Sequence, residues 1–163
     1  MTEGPSGYQD SRPGGERPDH SDAEGPGGDP LAWYQRGLEL LSRGSPAAAA
    51  QILQRALAEE PDSRSVREAL ARAQFDARRY AEAADNFRLI VEASPADDYA
   101  HFGLGLSLAR SGDPASAAEY LALAAAMRPD QKHYTKALLQ VRATLHSRSG
   151  QGAGPAPQSR EDD

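Results

Sequence analysis

Four histidines and two pairs of adjacent acids are the side chains here best suited to holding a metal or moving a proton. The histidines are His20, His101, His133 and His146. A helix grips a metal through two histidines four residues apart, because that spacing puts both rings on one face. No pair has it. His101 and His133 are 32 residues apart, so a metal shared between structural layers is a minor reading. The larger one makes His101 a partly buried packing residue and His133 a residue of an open face or its rim. Between the two terminal segments the acid pairs are Glu59-Glu60 and Asp97-Asp98. The second is suited to a helix start, where carboxylates cap free N–H groups and favour the dipole. The first falls at a helix end, solvated. Gly103-Leu104-Gly105 lacks the lysine and the preceding strand of a phosphate loop. Cysteine is absent, which excludes a disulfide, a thiolate nucleophile and cysteine-bound metal. The expectation is a protein with no catalytic residues, no cofactor and no metal.

Composition narrows the partners. The chain has 163 residues, 39% apolar and 26% charged, with a formal net charge of −6. That charge sits at the ends. Residues 1–29 carry seven acids and two arginines, whereas 30–147 hold fourteen charges of each sign. A neutral central region argues against nucleic acid, which requires a clustered basic face. No leader-like apolar segment and no run near the ~18 residues of a membrane helix is seen, so a cytoplasmic protein is expected. Segments 1–29 and 148–163, rich in glycine, proline and acids or serines, are expected to be disordered tails, because they bury too little apolar area to offset ordering entropy.

The elements between the tails follow a fixed period. Pro61, Pro95 and Pro129 recur at intervals of 34 residues, as do Gly37, Ala71 and Gly105, then Ala49, Ala83 and Ala117, then Leu53, Phe87 and Leu121. Such a period signals stacked copies of one supersecondary unit. Each unit has a helix, a turn and a second helix. Small residues allow the pair to approach closely, and the bulky trio fills the remaining space. Asp29 or Pro30 opens the first helix, which stops at Gly44. Ser45-Pro46 starts the second, which ends before Pro61; Ser63 or Ser65 caps the third. Asp97 or Asp98 caps the fifth, Gly112 closes it, and Asp113-Pro114 starts the sixth. A seventh is expected from about Gln131 to His146, with Leu138, Leu139 and Leu145 inward. Where the neighbouring repeats have Gly44 and Gly112, the middle one has Arg78. A left-handed turn there costs a non-glycine residue roughly 1 kcal/mol.

These positions resemble the tetratricopeptide repeat family. Trp33, Gly37, Leu40, Ala49, Leu53, Ala56 and Pro61 match its motif in repeat one. Repeat three matches with Leu104, Gly105, Leu108, Ala117, Leu121, Ala124 and Pro129, and repeat two with Leu70, Ala71, Ala83, Phe87 and Pro95. Departures fall at Arg36, Arg67, Gln74, Ile90 and His101. The resemblance implies an all-α fold, a right-handed superhelical solenoid of three helix-turn-helix units at 30–63, 64–97 and 98–131, plus a capping helix at 132–147. A pentatricopeptide RNA reader is disfavoured by the period and the neutral charge.

The resemblance also implies a concave groove lined by the first helix of each repeat. Repeat one offers Leu31, Tyr34, Leu38 and Leu41. Repeat two offers Arg72 and Phe75, beside Ser65, Glu68 and Asp76. Repeat three offers Tyr99, Phe102, Leu106 and Arg110, and the terminal helix His133 and Lys136, beside Gln140. Independently, the first helices of repeats one and three each carry two apolar stripes, wider than a helix touching only its neighbours needs. Three readings of the surplus stripe stand: inter-repeat core, a peptide groove, or a self-association surface. Relatives that hold the acidic end of a chaperone use lysine and asparagine. The matching positions here are Tyr34, Leu38, Ala69, Tyr99 and Gly103, none able to grip a carboxylate. The expected role is a non-enzymatic adaptor, monomeric or weakly dimeric. Its partner is an unidentified protein or peptide of apolar or mixed character, with any acidic end near Arg72, Arg110 or Lys136. The alternative is a self-associating assembly subunit.

Overall fold

The computed structural model describes residues 28–151. The expected tails fall largely outside this range. Among the described residues there are seven α-helices and no strands: α1 (Pro30–Ser42), α2 (Pro46–Glu59), α3 (Arg64–Asp76), α4 (Tyr80–Ala93), α5 (Asp98–Ser111), α6 (Pro114–Met127) and α7 (Lys132–Gln151). Each packs on the next, and the first helices of successive repeats also touch, giving an all-α solenoid.

Local chemistry explains the ends. The carboxylates of Asp29, Asp97 and Asp113 accept from the backbone N–H groups of Leu31, Ala100 and Ser116, each at 3.0 Å. Ser45 and Ser63 occupy cap positions, but their hydroxyls make no capping bond. At Ser45 the start is set by Pro46, whose ring fixes the first helical φ, and by the Ser45 carbonyl, which accepts from Ala49 at 3.0 Å. All three turns inside repeats close in the same way. The N–H groups of Ser45, Arg79 and Asp113 reach back to the carbonyls of Leu40, Gln74 and Leu108 at 2.8–2.9 Å. The residue before each is left-handed: Gly44 at φ 73°, Arg78 at 62° and Gly112 at 100°. Arg78 thus adopts the conformation that glycine takes in its neighbours.

The core follows the repeat register. A Cβ on Gly105 would lie 2.6 Å from Leu121 Cγ, so only glycine lets α5 and α6 meet at this distance. Gly37 faces Leu53 in the same way. Leu53, Leu104 and Leu121 are fully buried. The buried apolar residues form two clusters that divide at α3. One gathers Leu53, Leu70 and the alanines around them; the other runs from Phe87 through Leu104 and Leu121 to Val141.

Repeat two has a polar seam between α3 and α4. Gln74, only 3% exposed, accepts from Asn86 Nδ2 at 2.8 Å, and Arg67 donates to Asn86 Oδ1 at 3.2 Å and to the Pro61 carbonyl at 2.6 Å. The register equivalents of Arg67, Gln74 and Asn86 are Trp33, Leu40 and Ile52 in repeat one, and His101, Leu108 and Tyr120 in repeat three. The departures at Arg67 and Gln74 therefore satisfy a common partner. His101 is buried, with Nδ1 2.8 Å from the Asp97 carbonyl and its ring beside Tyr120.

Two expectations for α7 need correction. The helix continues to Gln151, four residues into the segment assigned to the tail. Ser147 and Ser149 donate to the carbonyls four residues back, at 3.0 Å each, which suits serine to a helix interior. Leu139 does not point inward: it is 60% exposed, and the inner face is Tyr134, Ala137, Leu138 and Val141. Leu139 occupies the register position of Gly37, Ala71 and Gly105, which face the second helix of their own repeats. Among the described residues no helix follows α7.

Candidate partner-binding groove

The first helices α1, α3, α5 and α7 share one face. In its middle lies a cavity of about 240 Å³ between α3 and α5, with α4 beneath. Phe75, Phe87, Tyr99, Phe102 and Leu106 supply its apolar wall, Gly103 part of its floor, and Arg72 and Asp76 its charged rim. Among the described residues Arg72 makes no ion pair, whereas Arg64 pairs with Glu68 and bridges to Asp97 (Nε to Oδ2, 3.0 Å).

The wall is held rigidly. Phe102 stacks on Tyr134 with ring centroids 4.4 Å apart and meets His133 edge-on at 5.1 Å. Tyr134 is itself fixed, because its hydroxyl donates to Asp98 Oδ2 at 2.8 Å across α5 and α7. Burial and the Asp98 carboxylate push the Tyr134 phenol well above its ordinary value, so it remains a donor. Burial also raises Tyr99, whose ring meets Phe87 edge-on at 6.2 Å. Phe75 packs edge-on against Tyr80 at 5.2 Å.

Five of the residues named from sequence line this cavity: Arg72, Phe75, Tyr99, Phe102 and Leu106. None of the twelve is sealed within the core. Tyr34, Leu38 and Leu41 are half-buried against the α1–α2–α3 cluster, and Leu31 is 58% exposed, so α1 forms a separate apolar strip. Arg110 is exposed near the end of α5, outside the cavity wall. His133 lies against Phe102, and Lys136 is exposed on α7 beside Lys132, Leu139 and Gln140.

Phe87, Gly103 and Tyr134 were not among those twelve. The repeat register makes Phe87 a core filler, yet its ring also reaches the cavity because Gly103 has no side chain; a Cβ there would stand 2.5 Å from the ring. The available signal was a glycine where the register has Ala69 and Ala137. Tyr134 interrupts a column of small residues, Val66 and Ala100.

Other surfaces are poorer candidates. A second cavity, about 260 Å³, lies between Pro61 and Ser94, but its arginines Arg64 and Arg67 are already engaged by Asp97 and Pro61. Among the described residues no three histidine, aspartate or glutamate side chains form a group that could hold a metal. His101 faces Tyr120 while His133 faces Phe102. No helix among the described residues is long and apolar enough to cross a membrane.

The family profile described as tetratricopeptide repeat matches residues 34–98 and 69–132, more than half of the chain. The chain belongs to the tetratricopeptide repeat family. Solved structures share the fold of this tetratricopeptide protein. MamA (residues 41 to the end) from Desulfovibrio magneticus RS-1 aligns with a TM-score of 0.70 at 21% identity, covering 75% of this chain and 69% of that one. MamA of strain MSR-1 aligns at 0.69 with 20% identity, covering 78% and 73%. The first tetratricopeptide domain of Spaghetti (RPAP3), bound to the HSP90 peptide SRMEEVD, aligns at 0.67 with 17% identity, covering 75% and 99%. At these identities the likeness is one of fold. No curated protein sequence matches the chain.

Proposed function

We propose that this protein is a non-enzymatic adaptor of the cytoplasm that holds a peptide or helix of another protein against the face formed by α1, α3, α5 and α7. The observation that carries this reading is the half-open aromatic cavity between α3 and α5. Phe75, Tyr99, Phe102 and Leu106 are neither sealed by the molecule's own helices nor scattered singly over the surface. Aromatic side chains fixed by their neighbours recognise a partner at low entropic cost. Burying roughly 400 Å² of apolar surface along the whole face, peptide and protein counted together, contributes about 10 kcal/mol before association costs, which suits micromolar peptide binding. The RPAP3 domain, of the same fold, is bound to the HSP90 peptide SRMEEVD, which supports a peptide as the occupant. Here Tyr34, Leu38, Ala69, Tyr99 and Gly103 provide no cation where the family's carboxylate clamp would stand, so the apolar wall supplies the affinity.

The test is capture by the immobilised full chain, read by mass spectrometry. Tyr34→Ser with Phe102→Ser should lose partners that wild type retains, and Leu89→Ser with Leu123→Ser, on exposed positions of α4 and α6, should keep them. Circular dichroism checks that helix content survives. Equal recovery by the groove variant and wild type overturns the reading. A stable dimer by light scattering that dissociates only with the groove substitutions would favour self-association instead.

A further inference from the structure

The four first helices present different chemistry at equivalent positions. On α1 the positions are apolar: Leu31, Tyr34 and Leu38. On α3 the same three are polar or charged: Ser65, Glu68 and Arg72. On α5 they return to apolar with Tyr99, Phe102 and Leu106, and on α7 they become His133, Lys136 and Gln140. Helix α7 has a second asymmetry. Its twenty residues include Lys132, Lys136, Arg142 and Arg148 and not one Asp or Glu. Among the described residues none of these four cations is engaged in an ion pair, whereas Arg36, Arg64, Arg67 and Arg88 on the other helices are paired with acids or a carbonyl. The neutral charge of the central region thus conceals a basic last column.

Resting on the groove reading above, we infer that the occupant is an extended segment of another protein with two bulky apolar side chains about six residues apart and an acidic side chain about three residues beyond the second. The spacing comes from the scaffold. Neighbouring helices lie about 8–10 Å apart, and an extended chain advances about 3.3 Å per residue, so it crosses one column roughly every three residues. The first anchor meets the strip on α1, and the second enters the cavity on its α5 side, against Tyr99, Phe102 and Leu106. The intervening residues pass over α3, where an apolar side chain would bury Glu68 and Arg72 at a desolvation cost. The acid then faces Lys136 and His133, which have no acidic neighbour on their own helix. Complementary charge of this kind fixes the direction in which the segment lies.

The experiment is selection of phage-displayed random 16-residue peptides on the full chain, repeated on Lys136→Glu. Lys136 is exposed and, among the described residues, makes no side-chain ion pair, so the substitution should leave the fold intact, which circular dichroism checks. Expected are sequences with apolar residues at a spacing of about six and Asp or Glu about three further on. On Lys136→Glu those clones should lose at least tenfold in recovered titre, and reselection should replace the acid with Lys or Arg. Peptides with a single apolar anchor, without a placed acid, or indifferent to Lys136→Glu overturn this inference. If those peptides are still lost with Tyr34→Ser and Phe102→Ser, the groove reading survives it. No enrichment on the full chain, or binding indifferent to the groove substitutions, overturns both.

Discussion

Replacing Asn86 by isoleucine, the residue at this register position in repeat one, should destabilise the protein although it makes the seam more apolar. Asn86 Nδ2 donates to Gln74 Oε1 at 2.8 Å, and Asn86 Oδ1 accepts from Arg67 at 3.2 Å. Arg67 retains the Pro61 carbonyl at 2.6 Å and reaches solvent. Gln74 is 3% exposed and keeps only a 3.5 Å bond from its Nε2 to Glu82, so its carbonyl oxygen is left buried without a donor. Orphaning such a group costs about 1–3 kcal/mol. At this chain length that lowers the melting temperature by about 2–12 °C. Gln74→Leu alone should be nearly neutral, because half-buried Asn86 still reaches water and leucine is the residue at this position in both neighbouring repeats. The double variant Gln74→Leu with Asn86→Ile recreates the Leu40–Ile52 arrangement and should recover most of the loss. The assay is the double-mutant cycle in urea, followed at 222 nm, with a coupling of about 1–2 kcal/mol between the positions. An Asn86→Ile variant as stable as wild type, or effects that add within about 0.5 kcal/mol, would refute the claim that the seam is held by mutual satisfaction of its polar groups.

Three further outcomes follow from the same geometry. Arg78→Gly should raise stability by about 0.5–1 kcal/mol, a few degrees of melting temperature, since relief at φ 62° outweighs the added freedom of the unfolded chain; a clear drop in thermal denaturation would contradict this. Gly103→Ala should lower stability by about 1 kcal/mol despite alanine's better helix propensity, because a Cβ 2.5 Å from the ring of Phe87 forces that buried ring or α5 to shift, which costs more than the propensity returns; chemical denaturation checks the sign. Tyr134 titrates above its ordinary 10.0 when folded, so above pH 10 the unfolded chain gives up a proton that the folded chain keeps. Its contribution is therefore full below pH 10 and declines as the pH rises. Tyr134→Phe should begin lower, having lost the bond to Asp98, and fall less steeply between pH 10 and 12 in urea melts.

The repeat architecture was legible because the prolines, small residues and bulky residues keep one period, and backbone sterics enforce it. Gly44 and Gly112 marked their turns, and the same register exposed Arg78 as the exception. The cap serines were legible only in position: proline and backbone bonds replace their hydroxyls, which the sequence pattern does not distinguish. The end of α7 was missed because glycine and serine read as breakers, whereas Ser147 and Ser149 are accommodated by bonds to their own helix. An inward Leu139 is the reading apolarity alone supports, because it does not reveal that this register faces a second helix, which none of the described residues supplies. In the groove, Phe75, Phe102 and Leu106 came from the surplus apolar stripe. Phe87 was missed because its access depends on an absent side chain at Gly103, a contact between elements rather than a pattern within one. The polar seam was visible only as separate departures, since Arg67, Gln74 and Asn86 meet across two helices.

The most direct test of the groove as a docking surface is site-specific photo-crosslinking in cells. A benzoylphenylalanine at Leu31 or Lys136, both exposed on the α1–α7 face, is compared with one at Leu89 or Leu123 on α4 and α6. The account predicts covalent adducts to a different protein from the first two positions and none from the second two. Adducts only from Leu89 and Leu123, or adducts from Leu31 and Lys136 only to further copies of this chain, would contradict it.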